Sequence, residues 1–411
     1  MRYRLMTAAF AATVALQFSG PVQATELEVT HWWTSGGEAA AVAEFAKAFD
    51  ASGHKWIDGA IAGGGNTARP IMISRITGGD PMGATQFNHG QQAKELVEAG
   101  LMLDLTDIAE RDGWKDFIHP VSLLDSCTLD GRIYCVPVNI HSPQWLWISN
   151  KVYEEIGVPV PTNWEEFVAS ADKVEAAGKI PLALGNQPWQ SNLAAGALQI
   201  AIGGIDLWKK VNVDKDMEAA ASPEWLATFE AIADARRMAA KSTVQDWNQA
   251  TNLVITGQAA GQIMGDWAQG EFQVAEMVAG KDYSCLPGMG VHRVISTGGD
   301  AFYFPKVNDA EKEAAQKDLA ALMVSKEVQV AFNLKKGSLP IRGDVDLAAA
   351  NDCMKQGLEI LASGNILPSG DQVWSADTQN QFNDLMVEFW KSETMTPEDA
   401  HSKWVEIAKN D

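Results

Sequence analysis

Runs of β-prone residues alternate along the chain with segments whose apolar residues recur at helical spacing. Residues 27–32 predict a strand, and residues 38–50 predict a helix with one apolar face. Residues 133–140 predict a further strand, and a second helical segment opens near Thr162. Such alternation of strands and helices is typical of an α/β protein.

Two of the predicted helices begin with the spacing of a capping box. Ser35 precedes Glu38 by three residues, and Thr162 precedes Glu165 by the same interval. We therefore expect both hydroxyls to cap the first turn of their helices. For Glu38 two roles stay open, because a carboxylate at a helix N-terminus stabilises the cap and is also able to bind a ligand.

The chain contains no flexible linker that would separate independent domains. Proline-marked joints around Pro137 and Pro305 interrupt the pattern, but no Gly/Ser-rich segment, internal repeat or low-complexity stretch accompanies them. The 411 residues are enough for two or three hydrophobic cores at roughly 150 residues each. The sequence therefore predicts two lobes joined by several strand crossings.

The N-terminus has the three parts of a secretory signal peptide. Arg2 and Arg4 are basic, residues 5–18 are apolar, and Val22 and Ala24 are small residues at a cleavage site. A membrane anchor is the alternative, but the apolar stretch is shorter than the roughly 20 residues that a span needs. We expect residues 1–24 to be removed and, because no cysteine directly follows the apolar stretch, no lipid anchor to be attached.

Charge and motif content exclude several classes of function. The formal charge of −21 disfavours binding to nucleic acid or to anionic membranes. The sequence has no nucleotide-binding glycine motif, no zinc spacing of His or Cys and no nucleophile elbow, so we expect no cofactor and no metal. A glycosidase remains the alternative, because two catalytic carboxylates need no fixed spacing in sequence.

Four cysteines in an exported chain predict disulfides, although four allow three connectivities. Cys127 and Cys135 flank the turn signal Asp130-Gly131, which would bring their sulfurs together on facing strands. That leaves Cys285 to pair with Cys353. Free thiols are the alternative.

Tryptophan is unusually frequent, with fifteen residues against five tyrosines, and it recurs beside turns and prolines. Indole faces at loop ends, accompanied by Asn, Gln, Asp and His, match a sugar ring, whose axial C–H face stacks on an aromatic ring while its hydroxyls need planar donors and acceptors. Burial of each indole in the core is the alternative. The clusters contain these residues: Trp32, Trp33, Trp145, Trp147, Trp189, Trp247 and Trp267.

Several short motifs, in order over essentially the whole mature chain, resemble the extracellular solute-binding proteins of ABC importers, and more narrowly their periplasmic glucose/mannose-binding branch. None of these motifs is strong alone. They are Trp32-Trp33-Thr34-Ser35-Gly36-Gly37-Glu38, Asn163-Trp164-Glu165-Glu166-Phe167, Pro181-Leu182-Ala183 with Gln187-Pro188-Trp189, Gly265-Asp266-Trp267-Ala268 and Lys335-Lys336-Gly337-Ser338-Leu339-Pro340.

The resemblance implies a maltose-binding-protein-like fold of two α/β lobes with one sugar bound between them. Matching the motifs position by position implies these ligand-binding residues: Trp32, Trp33, Glu38, Gln86, His89, Trp247, Trp267, Asp300, Lys336 and Gln372. The family commonly has a histidine after the Pro-Ser at Pro368, whereas this chain has none, so Gln372 is the candidate there. For three of these residues a role other than ligand binding stays open: Asp300 is alternatively a turn residue, Lys336 a solvated residue and His89 a surface residue.

The resemblance implies a periplasmic receptor, not an enzyme, that delivers a neutral glucose- or mannose-like monosaccharide or small glycoside to the membrane permease subunits of an ABC importer, and we expect this receptor to be a monomer. We expect lobe 1 to comprise residues 25–137 and 301–345, and lobe 2 to comprise residues 138–300 and 346–411. The chain would then cross between lobes near Pro137, near Gly299 and after Arg342.

Overall fold

The computed structural model describes residues 24–411, so the predicted signal peptide lies, except for Ala24, outside the described residues. The strands are β1 Glu26–His31, β2 Lys55–Ala60, β3 Ala84–Asn88, β4 Thr128–Leu129, β5 Arg132–Ile133, β6 Cys135–Pro137, β7 Trp145–Ser149, β8 Ile180–Ala183, β9 Ala259–Met264, β10 Tyr283–Pro287, β11 Ile295–Ser296, β12 Asp300–Tyr303 and β13 Ile366–Leu367.

The helices are α1 Gly36–Ala51, α2 Gly65–Thr77, α3 Lys94–Glu98, α4 Thr106–Arg111, α5 Trp114–Phe117, α6 Ser122–Asp125, α7 Asn150–Ile156, α8 Trp164–Ala176, α9 Pro188–Asn212, α10 Met217–Ala220, α11 Pro223–Ala239, α12 Trp247–Ile255, α13 Ala268–Val274, α14 Ala310–Met323, α15 Lys326–Lys336, α16 Asp352–Ser363, α17 Gly370–Val373, α18 Ala376–Lys391 and α19 Pro397–Ala408. A 3₁₀ turn covers Gly288–Gly290.

Two sheets form the centres of the molecule, as the predicted α/β class requires. The first has the order β2-β1-β3-β12-β6, with β1 parallel to β2 and β3 and with β12 antiparallel to its neighbours. The second has the order β10-β7-β9-β8. Because β12 returns to the first sheet after the whole second sheet has formed, the first sheet is built from segments that are distant in sequence, whereas the second sheet uses the consecutive strands β7 to β10. Lobe 1 surrounds the first sheet and lobe 2 the second; the residue boundaries of the lobes stay a prediction.

The segments that link the sheets bond to one another. The backbone N–H of Ile140 donates to Leu339 O at 2.8 Å, and the N–H of His141 donates to Gly298 O at 2.8 Å. Three chain segments therefore lie side by side between the lobes, at residues 138–141, 298–300 and 338–341. This arrangement shortens the predicted strand 133–140, since only Cys135–Pro137 pairs with β12.

The alternation of side chains in β7 divides the core. Trp145 and Trp147 lie in the hydrophobic cluster shared with lobe 1, whereas Leu146 and Ile148 lie in the cluster beneath α9, α11 and α18. Trp145 and Trp147 are almost completely buried and stack on each other with centroids 5.6 Å apart. For these two indoles the core alternative is correct, and the sugar-facing interpretation is wrong.

The helix caps follow the sequence at one of the two predicted sites. Ser35 Oγ accepts from the Glu38 N–H, as predicted for α1. In α8 the cap is instead Asn163, which accepts from Glu166 N at 3.0 Å, while the Glu166 carboxylate accepts from the Thr162 N–H at 2.8 Å. The predicted Thr162–Glu165 cap is wrong because the helix begins one residue later than expected.

Both predicted disulfides are present. Cys127 is joined to Cys135 beside the β4–β5 hairpin, whose turn residues Asp130 and Gly131 have the positive φ angles of a tight hairpin turn. Cys285 of β10 is joined to Cys353 of α16. No helix within residues 24–411 is long and apolar enough to cross a membrane.

Candidate functional site

A cavity of about 710 Å³ lies between the two sheets and is lined by residues from both lobes. Its volume is within the range of roughly 300–1,000 Å³ that is typical of small-molecule sites. Seven of the ten predicted site residues line it, namely Trp32, Trp33, Glu38, Trp247, Trp267, Asp300 and Lys336.

A buried ion pair forms part of the cavity wall. Lys336 Nζ donates to Glu38 Oε1 at 2.8 Å, and these residues are 1% and 7% exposed. Glu38 lies in the first turn of α1, where Ser35 Oγ donates to its second carboxylate oxygen at 3.2 Å. Lys336 is the last residue of α15, which ends at Gly337 in the left-handed region (φ 84°) that glycine favours. The solvated alternative for Lys336 is therefore wrong, and Glu38 serves the cap as well as the pair.

Asp300 is the centre of a second polar group in the wall. Gln86 Nε2 donates to one carboxylate oxygen at 2.6 Å and Asn139 Nδ2 to the other at 2.9 Å, while His141 Nε2 lies 3.0 Å from the same second oxygen. Burial alone would raise the pKa of Asp300, but His141, Lys336 and the Asn139 hydrogen bond lower it below its usual range. Asp300 is therefore ionised and almost completely buried, so it is not merely a turn residue.

Aromatic rings line the cavity beside these polar groups. The ring of Trp267 lies 6.3 Å from that of Trp189, 6.5 Å from that of Trp247 and 4.9 Å from that of His141. Lys336 Nζ lies 5.8 Å from the Trp267 centroid. The cavity thus places apolar ring faces next to charged hydrogen-bonding groups, which is the combination that a ring of C–H and hydroxyl groups requires.

The two tryptophans at the end of β1 differ in role. Trp32 is partly buried and lines the cavity, and its backbone N–H donates to Gln86 Oε1 at 2.9 Å. Trp33 is 1% exposed and packs against Phe45 and Phe332. Trp33 is therefore mainly a core residue that presents an edge to the cavity.

Three predicted site residues lie behind the lining. Gln86 bridges Asp300 and the Trp32 backbone, and Gln372 Oε1 accepts from Ser369 N at 2.7 Å in the capping box of α17. His89 is completely buried, with Nδ1 2.7 Å from Ser126 Oγ, so its surface alternative is wrong. Burial lowers the pKa of His89 to about 4, which keeps this imidazole neutral near pH 7.

Further residues belong to the cavity or its support although the sequence did not single them out as ligand contacts. Among them are Arg69, Asn139, His141 and Trp189. The sequence pattern did indicate Trp189, since it belongs to the tryptophan clusters that predict sugar contact. No local pattern indicates Asn139 or His141, because the segment that follows Pro137 has no periodicity that marks a buried polar group.

The lobes touch beside the cavity through two hydrogen bonds between side chain and backbone and through one close approach of backbone to backbone. The Gly37 N–H of α1 donates to Glu271 Oε1 of α13 at 2.7 Å, and Gln269 Nε2 donates to Gly337 O at 2.8 Å. A Cβ atom on Gly37 would lie 2.6 Å from the carbonyl carbon of Gly270. Only glycine permits this approach of α13 to α1, so the contact depends on that residue.

Comparison with known proteins identifies the family. The family model described as bacterial extracellular solute-binding protein matches residues 31–356. A probable sugar-binding periplasmic protein of Rhizobium meliloti (strain 1021) is 35% identical over 364 residues, which cover 88% of this chain and 87% of the relative. This chain belongs to the bacterial extracellular solute-binding protein family.

Solved structures share its fold. A chitin oligosaccharide binding protein superposes with a TM-score of 0.77 at 20% identity, over 93% of this chain and 98% of that one. A maltose-bound MalE3 of T. maritima superposes with a TM-score of 0.74 at 19% identity, over 94% and 100% of the two chains. The predicted two-lobed, maltose-binding-protein-like fold is confirmed.

Proposed function

We propose that this protein is an exported receptor that captures a neutral sugar between its lobes and delivers it to the permease subunits of an ABC importer. The observation that carries the proposal is the joint arrangement of the Glu38–Lys336 pair, ionised Asp300 and the ring of Trp267 around one cavity. Charged partners strengthen hydrogen bonds to sugar hydroxyls, and they do so without requiring a charged ligand.

The proposed ligand class is a glucose- or mannose-like monosaccharide or a small glycoside. The name of the Rhizobium meliloti relative supports a sugar, and the resemblance to the glucose/mannose branch supports a hexose. Lobe 1 (residues 25–137 and 301–345) and lobe 2 (138–300 and 346–411) would close on the sugar as a monomer in the periplasm, after removal of residues 1–24.

The carboxylates of the cavity favour a receptor over a glycosidase. A hydrolase needs an acid of raised pKa beside a second carboxylate. Burial raises the pKa of Asp266, but this residue does not line the cavity, and its carboxylate accepts from the Ser142 N–H at 3.0 Å. Asp300, which does line the cavity, has a lowered pKa.

Titration of the mature protein with a sugar panel tests the proposal. We expect glucose, mannose or a glycoside that contains one of them to change the tryptophan fluorescence saturably, because several indoles, among them Trp32, Trp247 and Trp267, line the cavity. Incubation with nitrophenyl glycosides should release no nitrophenol. Absence of binding by every sugar in the panel would contradict the proposal, and turnover would favour the glycosidase.

A further inference from the structure

The cavity extends well beyond the polar groups that we assign to the sugar. On the lobe 2 side its wall follows the first three turns of α9, where the lining positions recur at helical spacing: Trp189, Leu193, Gly196 and Ile200. Ile200 follows Trp189 by eleven positions, which corresponds to about 16 Å along a helix axis at 1.5 Å per residue. That stripe is far longer than one pyranose ring.

The lobe 1 side provides a matching wall. One face of α2 lines the same cavity through Asn66, Arg69, Pro70 and Ile73, again at helical spacing. The two helices approach each other near the start of α9, since a Cβ atom on Gly64 would lie 3.5 Å from Trp189 Nε1. We call the space between these faces of α2 and α9 the extension.

Arg69 supplies donors to the extension. Within the described part of the chain its guanidinium makes one side-chain hydrogen bond, from Nη2 to Asn66 Oδ1 at 3.2 Å. A Cβ atom on Gly65 would lie 2.7 Å from Arg69 Nη1 and 3.6 Å from the Trp32 ring, so the guanidinium and the indole flank the same glycine. The five N–H groups of an arginine therefore leave several donors for a ligand.

Gly196 keeps the extension open. A Cβ atom at this position of α9 would meet no other described residue within 4 Å, apart from its chain neighbours and the backbone of its own helix. Glycine inside a helix destabilises it by roughly 0.5–1 kcal/mol relative to alanine, and no steric contact in residues 24–411 requires it here. The empty space above Gly196 is therefore available to a ligand.

We propose that the cavity binds a glycoside of at least two sugar rings, with one ring at the Glu38–Lys336 and Asp300 groups and a second in the extension beside Arg69 and over Gly196. This inference rests on the proposed sugar-binding function and specifies its substrate class. Leu193 and Ile73 offer apolar contacts to the second ring, and Arg69 and Asn66 offer hydrogen-bonding groups. The mixed lining suits a neutral second sugar better than an alkyl group, whose burial would leave those polar groups unpaired.

Calorimetry with matched monosaccharides and disaccharides tests the inference on the mature protein. The probes are glucose, mannose, galactose and xylose, together with maltose, cellobiose, mannobiose and lactose. We expect at least one disaccharide to bind about tenfold or more tightly than either of its component monosaccharides, the effect of one or two additional hydrogen bonds. Monosaccharide affinity equal to or above that of every disaccharide would overturn the inference while leaving the proposed function intact. Absence of binding by every probe would overturn the proposed function itself.

Variants at Gly196 locate the second ring. Gly196→Phe should fill the extension and reduce the ratio of disaccharide to monosaccharide affinity to about one, whereas Gly196→Ala should preserve most of it. Ile202→Phe places the same side chain on an exposed position of the same helix and should leave both affinities unchanged. Arg69→Met should also lower the ratio, which provides a second test if Gly196→Phe folds poorly. An unchanged ratio in both Gly196→Phe and Arg69→Met would overturn the inference.

Discussion

Lys336 Nζ lies 2.8 Å from Glu38 Oε1, although 298 residues separate the two in sequence. The pair joins the end of α15 to the beginning of α1, and both helices pack against each other in lobe 1. Because each charge is buried, removal of one leaves the other without compensation.

Breaking this pair should destabilise the sugar-free protein. We expect Lys336→Met to lower the free energy of unfolding by about 3 kcal/mol, since a buried carboxylate then lacks its partner. The double variant Glu38→Gln/Lys336→Met should recover at least half of that loss. Urea denaturation measures both values, and Lys335→Met is the matched control because Lys335 is exposed. Equal losses for Lys335→Met and Lys336→Met would contradict the role of the pair.

The contact of Gly37 with Gly270 should matter for closure of the lobes. Alanine at Gly37 would collide with backbone 2.6 Å away, so we expect Gly37→Ala to reduce the population of the closed arrangement and to weaken sugar binding by about tenfold. Small-angle scattering at saturating sugar should then report a larger radius of gyration.

Gly36→Ala is the control, because a Cβ atom there would meet its nearest neighbours at ordinary contact distances of 3.6 and 3.7 Å. If Gly36→Ala and Gly37→Ala have the same affinity and the same radius of gyration, the glycine contact does not govern closure.

Buried His89 should make stability depend on pH. Its pKa is about 4 in the folded protein, against 6.5 for an ordinary histidine, so the unfolded chain binds more protons between these values. Stability contributed by the neutral imidazole is therefore present above pH 6.5 and is lost as the pH falls towards 4, by about 3 kcal/mol. Urea denaturation from pH 7 to pH 4 should show this loss in the wild type and a shallower slope in His89→Gln. Parallel slopes would contradict the assignment.

Local patterns in the sequence were sufficient to predict the elements whose contacts join residues close together in the chain. The Ser35 cap of α1 and the Asp130-Gly131 hairpin depend on residues within a few positions of each other, and both were predicted correctly. The burial of the Trp145 and Trp147 indoles was not predicted correctly, because proline and glutamine beside a tryptophan occur at the start of a buried strand as well as at a binding loop.

Long-range contacts could not be derived from local pattern. The pairing of Lys336 with Glu38 depends on how α15 meets α1, and both residues were singled out through the resemblance to a family. Asn139 and His141 act through Asp300, which follows them by about 160 residues, and no periodicity in their own segment indicates that partnership. The extension beside Gly196 arises only when α2 and α9 face each other.

The central claim is that the sugar binds in the cavity between the lobes, and the affinity of Trp247→Ala tests it most directly. Loss of this ring should weaken binding of the tightest sugar in the panel by roughly 10- to 100-fold, or about 1–3 kcal/mol, as for other aromatic contacts. Asp300→Ala should cost at least as much, because it removes a charged acceptor. Trp390→Ala is the matched control, since Trp390 of α18 is partly buried outside the cavity lining. On the folded variants, isothermal calorimetry should give wild-type affinity for Trp390→Ala and weaker binding for Trp247→Ala and Asp300→Ala. Wild-type affinity for Trp247→Ala and Asp300→Ala would contradict the proposed site.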